Sequence, residues 1–338
     1  MKTGGFFYGK GDSFLQKTVI VLLSIIGITL FYFTALSAEK VLQPDWQLPN
    51  NSQANQEKIR LVLITQELET PFWEEVGSGA LEQAQEEGAR LEVWGSYGNN
   101  KEDFLKEVEI AIHSKVDGII VQGLDTEEFK ELTKFKAAFY GIPIITVAND
   151  VQADQSLRRT YVGSNQYLSG KMIANQLLED MGPTGKVALI GDLQQDYYQK
   201  QRLQGILDVF KNNPGMSIIR AETTDTKDQV IATTQELLNN SPNVDGFIAV
   251  DADMAGAMIQ EIERRAMVEP YYIYTFDDGP ETMRLLSERK LDAVIKQSPE
   301  SMGKVSVSLI MKWLRGETVP LNMDGYHTDI TVLKAMDF

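Results

Sequence analysis

Val116-Asp117-Gly118-Ile119-Ile120-Val121 recurs, nearly unchanged, as Val244-Asp245-Gly246-Phe247-Ile248-Ala249-Val250. Each copy follows a stretch with helical spacing. Each gives way to a polar run: Gln122-Gly123-Leu124-Asp125 after the first, Asp251-Ala252-Asp253 after the second. One such segment is common in any α/β protein. Two copies with matching surroundings point to the same helix, turn and buried strand built twice. The fold expected from this is two similar α/β lobes with room for a ligand between them. The first copy ends in no residue that can be assigned to a ligand, whereas the second ends in Asp251, a strong site candidate.

Outward from the repeat, apolar strands alternate with amphipathic helices. In the first half, strands are expected at 59–65, 91–94, 118–121, 144–147 and 161–163, with helices at 72–87, 101–114 and 126–139. The pattern restarts with a helix at 165–180, stopped by Met181-Gly182-Pro183-Thr184-Gly185. Strands at 186–190, 217–220, 246–250, 272–276 and 293–295 then alternate with helices at 199–211, 227–239, 253–265, 280–289 and 299–314. A last strand is expected near 329–333. Such alternation gives parallel sheets with right-handed crossovers. Ligands of these sheets bind beyond the carboxyl ends of the strands.

Composition narrows the chemistry. The 338 residues suffice for two domains, and 43% are apolar. There is no cysteine, hence no disulfide, thiolate nucleophile or Cys-ligated metal. The two histidines, His113 and His327, lie far apart in sequence, which argues against a His-based metal site or triad. No metal and no cofactor are expected. The formal net charge of −16 repels nucleic acid. Residues 1–38 carry three lysines against one aspartate, so the remainder is more acidic still.

Thr18 to Ala38 is 21 residues without a charge. As a helix it spans roughly 31 Å, close to a bilayer's hydrocarbon core. Lys2, Lys10 and Lys17 precede it and place residues 1–17 in the cytoplasm and the rest outside. Two readings compete, a cleaved signal peptide and an uncleaved transmembrane anchor. The apolar run exceeds a signal core, and neither Ala35-Leu36-Ser37 nor Leu36-Ser37-Ala38 fits the cleavage pattern well, so the anchor is preferred. A lipoprotein needs a cysteine. Residues 39–57, with Pro44, Pro49, Asn50, Asn51 and Ser52, read as a linker.

The strand ends are rich in carboxylates, amides and aromatics. After the first strand comes Gln66-Glu67-Leu68-Glu69-Thr70-Pro71-Phe72-Trp73. Later ends carry Ala148-Asn149-Asp150, Asp251, Asp277-Asp278-Gly279 and Lys296-Gln297, and a polar loop leads to Lys200 and Arg202. This chemistry suits a sugar: carboxylates and amides bridge neighbouring hydroxyls, and an aromatic face packs on the ring's C–H face. Taken singly, Asp251 or Asp253 serves equally as a helix N-cap, Asp277 as a turn residue, and Phe72 and Trp73 as core.

Together these stretches resemble the type I periplasmic sugar-binding proteins, the ribose- and galactose-binding group that serves ABC transporters and chemoreceptors. The resemblance runs from about Lys58 to the C-terminus, through 59–73, 141–150, 161–170, 199–205, 247–254, 274–280 and 293–303. It implies two Rossmann-like lobes joined by three crossovers near Gly163, Gln297 and Leu321. Residues 58–163 with 298–321 would form one lobe, and 164–297 with 322–338 the other. It also implies that Phe72 and Trp73 stack on the sugar while Asp251, Asp277 and Gln297 bond its hydroxyls. Asn149 and Asp150 would stand near the same edge, and Lys200 would reach in from the second lobe. The ribose group's Asn-Pro-Phe-Phe is Thr70-Pro71-Phe72-Trp73 here, and its Asp-Arg pair is Ala148-Asn149. Its second-lobe arginine is replaced by Lys200 in this reading, and the loss of both arginines and one carboxylate puts ribose itself in doubt.

The function implied is a non-enzymatic extracytoplasmic sugar binder that presents its ligand to an ABC transporter permease. The alternative is an anchored sugar sensor signalling to a sensor kinase or chemoreceptor. A LacI-type repressor shares the two-lobed core but needs an N-terminal helix-turn-helix and a basic face, and residues 1–57 offer neither. A glycoside-processing enzyme could pair Asp251 with Asp277, but the resemblance argues against it.

Overall fold

The computed structural model describes residues 24–25, 27–34, 58–98, 100–192, 196–224, 226–265 and 271–337. The chain divides into two compact units, 1–57 and 58–338. In the first, residues 24–25 and 27–34 are helical and exposed, and the Thr29 and Thr34 hydroxyls donate to the carbonyls of Ile25 and Leu30. The rest of the expected span 18–38, the cytoplasmic segment 1–17 and the linker 39–57 lie outside the described residues. No helix among the described residues is long and apolar enough to cross a membrane.

The second unit holds two six-stranded sheets. The first contains β1 (Arg60–Thr65), β2 (Arg90–Gly95), β3 (Gly118–Gln122), β4 (Ile144–Val147), β5 (Thr160–Gly163) and the late strand β11 (Tyr326–His327), in the order β11-β5-β4-β3-β1-β2. The second repeats that order with β6 (Gly185–Asp192), β7 (Met216–Thr223), β8 (Gly246–Ala249), β9 (Tyr272–Phe276), β10 (Ala293–Lys296) and β12 (Thr331–Lys334), as β12-β10-β9-β8-β6-β7. Successive side chains of each buried strand feed opposite faces. Leu61, Leu63 and Ile120 meet Val76, Met302 and Ile310 on one side of the first sheet. Val62, Ile64 and Ile119 meet Phe104, Ile112 and Phe129 on the other.

The repeated Val-Asp-Gly has the same job in both lobes. Asp117 accepts a hydrogen bond from the Arg60 backbone N–H at 2.7 Å and returns its own N–H to the Arg60 carbonyl at 2.9 Å. Asp245 does the same with Lys186, at 2.8 Å each way. Each aspartate thus pins the start of the central strand beside it. Gly118 is required by packing, since a Cβ there would lie 2.5 Å from Ile310 Cδ1.

Helices connect the strands: α1 (Pro71–Glu86), α2 (Lys101–His113), α3 (Glu127–Glu131), α4 (Ala153–Ser156), α5 (Gln166–Met181), α6 (Tyr197–Lys211), α7 (Lys227–Asn240), α8 (Ala252–Arg265), α9 (Pro280–Ser287) and α10 (Pro299–Leu314). The expected helix at 126–139 is not uniform: α3 runs into a π-helix at Leu132–Ala137. In each lobe the helix after the first strand packs tightly on a helix arriving from the other lobe. On α1 and α10 the contacts are Gly79 against the Glu300 carbonyl and Gly303 against the Val76 carbonyl. On α5 and α6 they are Gly170 against the Arg202 carbonyl and Gly205 against the Tyr167 carbonyl.

The lobes are interlaced. The chain leaves the first sheet after Gly163, and α5 packs on β9 and β10. It returns after Lys296, and α10 packs on β3, β4 and β5. The third crossing differs from the expected one near Leu321. Leu321 is buried in the first lobe's core, and Tyr326 and His327 pair with Val162 and Gly163. Residues 322–327 therefore stay with the first lobe, and the passage falls between His327 and Thr331. The sheets also depart from the all-parallel expectation, because β12 runs antiparallel to β10. The chain re-enters at the hinge end of β10, where Thr331 pairs with Lys296, so it can only run back along it.

Candidate functional site

In both sheets the strand order reverses beside the first strand of the lobe, between β1 and β3 and between β6 and β8. A crevice opens at the carboxyl ends of such strands. Here the two crevices share one cavity of about 450 Å3. From the first lobe it is lined by Glu67, Thr70, Pro71, Phe72, Trp73, Glu75, Gln122 and Asn149. The second lobe adds Tyr198, Arg202, Asp251, Asp253, Asp277, Asp278 and Glu281, and the crossover adds Gln297.

Six of the candidates read from sequence meet there: Phe72, Trp73, Asn149, Asp251, Asp277 and Gln297. Pro71 starts α1 at the rim, and the next two residues supply an aromatic wall. Phe72 is partly open, while Trp73 is 3% exposed, and their rings meet edge to face at 5.5 Å. Asn149 sits on a tight ledge: its carbonyl accepts from the Gly123 N–H at 2.9 Å, and a Cβ on Gly123 would lie 2.6 Å from that oxygen.

Asp277 follows β9 in a left-handed conformation, φ 63°, matched by Ala148 after β4 with φ 61°. Non-glycine residues rarely adopt this conformation, and aspartate tolerates it better than alanine. The repeat thus keeps one strained turn in each lobe and arms only the second with a carboxylate. Asp277 accepts from Gln297 Nε2 and, at 3.4 Å, from Arg202 Nη2. Burial raises its pKa; Asp251 adds to the rise and Arg202 opposes it. A quarter of its side chain remains open to the cavity.

Asp251 combines two roles. Its Oδ1 accepts from the Asp253 N–H at 3.2 Å, capping α8, and its Oδ2 accepts from the Tyr198 hydroxyl at 2.6 Å. Gln199 Nε2 donates to the same oxygen at 3.3 Å.

The structure places Asp150 and Lys200 outside this lining. Arg158 grips Asp150 through Nε at 2.6 Å and Nη2 at 2.7 Å, and Thr146 donates to it at 2.6 Å. Asp150 borders a separate cavity of about 300 Å3 with Tyr161, Tyr197 and His327. Lys200 points to the rim and meets Asp125 of the first lobe at 3.3 Å. The second-lobe arginine is present after all, as Arg202. It is 2% exposed, with its guanidinium carbon 4.2 Å from the Phe276 ring centre and 5.1 Å from that of Tyr198.

Arg202 also closes a ring of side chains. Its Nε donates to Gln166 Oε1 at 2.8 Å, Gln166 Nε2 donates to Gln297 Oε1 at 3.3 Å, and Gln297 and Arg202 both donate to Asp277. Gln166 follows the first crossover and Gln297 lies on the second, so the ring ties the cavity floor to the hinge.

Sequence reasoning also left out Glu67 and Gln122. Gln122 Oε1 accepts from Thr65 Oγ1 at 2.9 Å and from the Gln66 N–H at 2.8 Å, so the first repeat's polar tail does reach the cavity wall. The signal available was position: Gln122 ends β3 and Glu67 lies two residues past β1, the strands flanking the point of reversal.

Paired α/β lobes, one lined cavity between them and a braided hinge define a two-lobed binding protein. The chain belongs to the periplasmic binding protein domain family, whose pattern matches residues 61–318. It is 23% identical over 306 residues to the ribose import binding protein RbsB of Bacillus subtilis, covering 90% of this chain and 95% of that one. Among solved structures it resembles GanP, a glucose-galactose binding protein from Geobacillus stearothermophilus. That match has a TM-score of 0.77 and 29% identity over 83% of this chain and 98% of that one. XylFII, in the XylFII-LytSN complex, matches with a TM-score of 0.72 and 25% identity over 83% and 99% of the two chains.

Proposed function

We propose that this protein is an extracytoplasmic binder that closes on a saccharide between its lobes and presents it to an ABC transporter permease. The observation that carries the reading is the shared cavity, where an aromatic wall from one lobe faces carboxylates of the other. Phe72 and Trp73 stack on the sugar ring, while Asp251, Asp277, Asn149 and Gln297 bond its hydroxyls. Relatives named for ribose import and glucose-galactose binding support a binder rather than an enzyme. Residues 18–38 hold the protein to the membrane.

Closure follows from differential binding: only the closed form lets the sugar touch both lobes. A hydroxyl bonded to Asp277 loads the ring that includes Gln297 and Gln166, so occupancy is felt at two crossovers. A second reading keeps the same site but hands the closed shape to a membrane sensor kinase or chemoreceptor. The uncharged segment after Lys17 favours it, and so does the likeness to XylFII, found in complex with LytSN.

A thermal-shift screen of the full-length chain against mono- and disaccharides tests the site. A ligand that binds only the native form raises the melting temperature. At least one sugar should do so, and Asp277→Asn should remove the shift. A panel with no shift would sink the binder reading.

A further inference from the structure

The second cavity, of about 300 Å3, lies beside the first crossover. Both lobes build it. The first lobe gives Asp150, Tyr161 and His327, and the second gives Tyr197 and Tyr198. Ser164, at the crossover itself, lies in the wall. It is fully buried, and its hydroxyl has no hydrogen-bond partner among the described residues. Thr328, on the third crossover, repeats this: its Oγ1 is buried and unpaired, and its N–H donates to the Gly163 carbonyl at 3.0 Å. A buried hydroxyl without a partner leaves its desolvation uncompensated, so it calls for an explanation. Tyr197 and Asp150 approach from opposite lobes. Burial raises the pKa of the Tyr197 hydroxyl, and the Asp150 charge adds to the rise.

The lining decides what fits. Among the described residues that form it there is no lysine or arginine. Asp150 is met by Arg158 at 2.6 Å, outside the lining, and 12% of its side chain stays open. Asp324, the other carboxylate of the lining, is exposed. An anion thus finds carboxylates and no strong base to hold it, and a cation finds Asp150 already paired. Carboxylate oxygens, amides and an unpaired hydroxyl suit a neutral molecule with several hydroxyls, and the tyrosine rings suit its C–H faces. At about 300 Å3 the space is at the small end of ligand pockets, the size for one monosaccharide or polyol.

We propose that this cavity is a second binding site, for a small neutral polyhydroxyl compound, and that it is coupled to the cleft. Tyr198 carries the coupling: it lines both cavities, and its hydroxyl donates to Asp251 at 2.6 Å. Gln166 also lines the second cavity and belongs to the ring that holds Asp277. A molecule touching both lobes here favours the arrangement in which they meet at the rim through Lys200 and Asp125. Each ligand therefore tightens the other by the same factor. The site goes beyond the transport or sensing role, which needs one sugar in the cleft.

Calorimetric titration of the full-length chain with D-ribose, D-glucose, D-galactose, glycerol and myo-inositol, singly and in pairs, tests this. Two sites per chain should fill. Asp277→Asn should remove the cleft event and leave the other. Tyr197→Ala and His327→Ala, one from each lobe, should remove the second event. They should keep the cleft event, weakened about fivefold or more by the lost coupling, and that retained event shows that they fold. No more than one site per chain, with any compound or pair, would overturn the proposal and leave the cleft reading standing if that site is lost in Asp277→Asn. A second event that survives both alanine variants would overturn its location. Two events without mutual effect would overturn the coupling.

Discussion

Glu67 lies two residues past the end of β1 with its carboxyl in the cleft, raised from 4.5 to about 7 by burial and by Asp253 and Asp251. The folded state therefore binds more protons than the unfolded chain between those two values. Stability falls as pH rises through that window, and the full cost is present above about 7. The unliganded protein should melt higher near pH 6 than near pH 8, with Glu67→Gln narrowing the gap. An unchanged gap would show that Glu67 does not carry it. Six residues of the cavity lining were legible because they follow strands or open a helix at the rim. Lys200 and Arg202 both sit at the head of one helix, and charge alone does not separate them. Helical spacing does: Arg202, Gly205, Ile206 and Val209 recur as one buried face, and Lys200 lies off it. The significance of Glu67 is not legible in sequence, because it depends on Asp251 and Asp253, which come from another lobe.

The helix pairs α1 with α10 and α5 with α6 pack closely beside the cleft, because backbone meets backbone where the glycines sit. A Cβ on Gly205 would lie 2.1 Å from the Tyr167 carbonyl, and the helices must part to admit it. Gly205→Ala should cost about 1–3 kcal/mol, as overpacking does, and lower the denaturation midpoint. A wild-type midpoint would mean that α6 shifts freely on α5, and with it Tyr198 and Arg202. Most elements could be read from apolar periodicity, since long amphipathic helices and buried strands carry strong signals. The exceptions have physical reasons. β11 has two residues and α4 has four, too few for any period. The π-helical turns at Leu132–Ala137 keep helical composition and change only the hydrogen-bond register.

Across the whole molecule, the lobes touch at the rim through Lys200 and Asp125, whose side chains are 51% and 22% exposed. Exposed pairs contribute roughly 0.2–1 kcal/mol, so this one biases closure without locking it. Lys200→Ala should weaken ligand binding by about fivefold at most and raise the unliganded radius of gyration in solution scattering. A larger loss of affinity would mean that Lys200 touches the ligand itself. The duplication was visible from two short strands, but the path between lobes was not, because crossovers have no composition of their own. That path matters during synthesis. The ribosome delivers residues 58–163 first, yet their lobe waits for α10 and β11 near the end of translation. Until then α1 lacks the partner for Gly79, and β5 is an open sheet edge able to pair with another chain. The half made first is thus among the last completed, and a product truncated before Pro299 would expose that edge as a seed for aggregation.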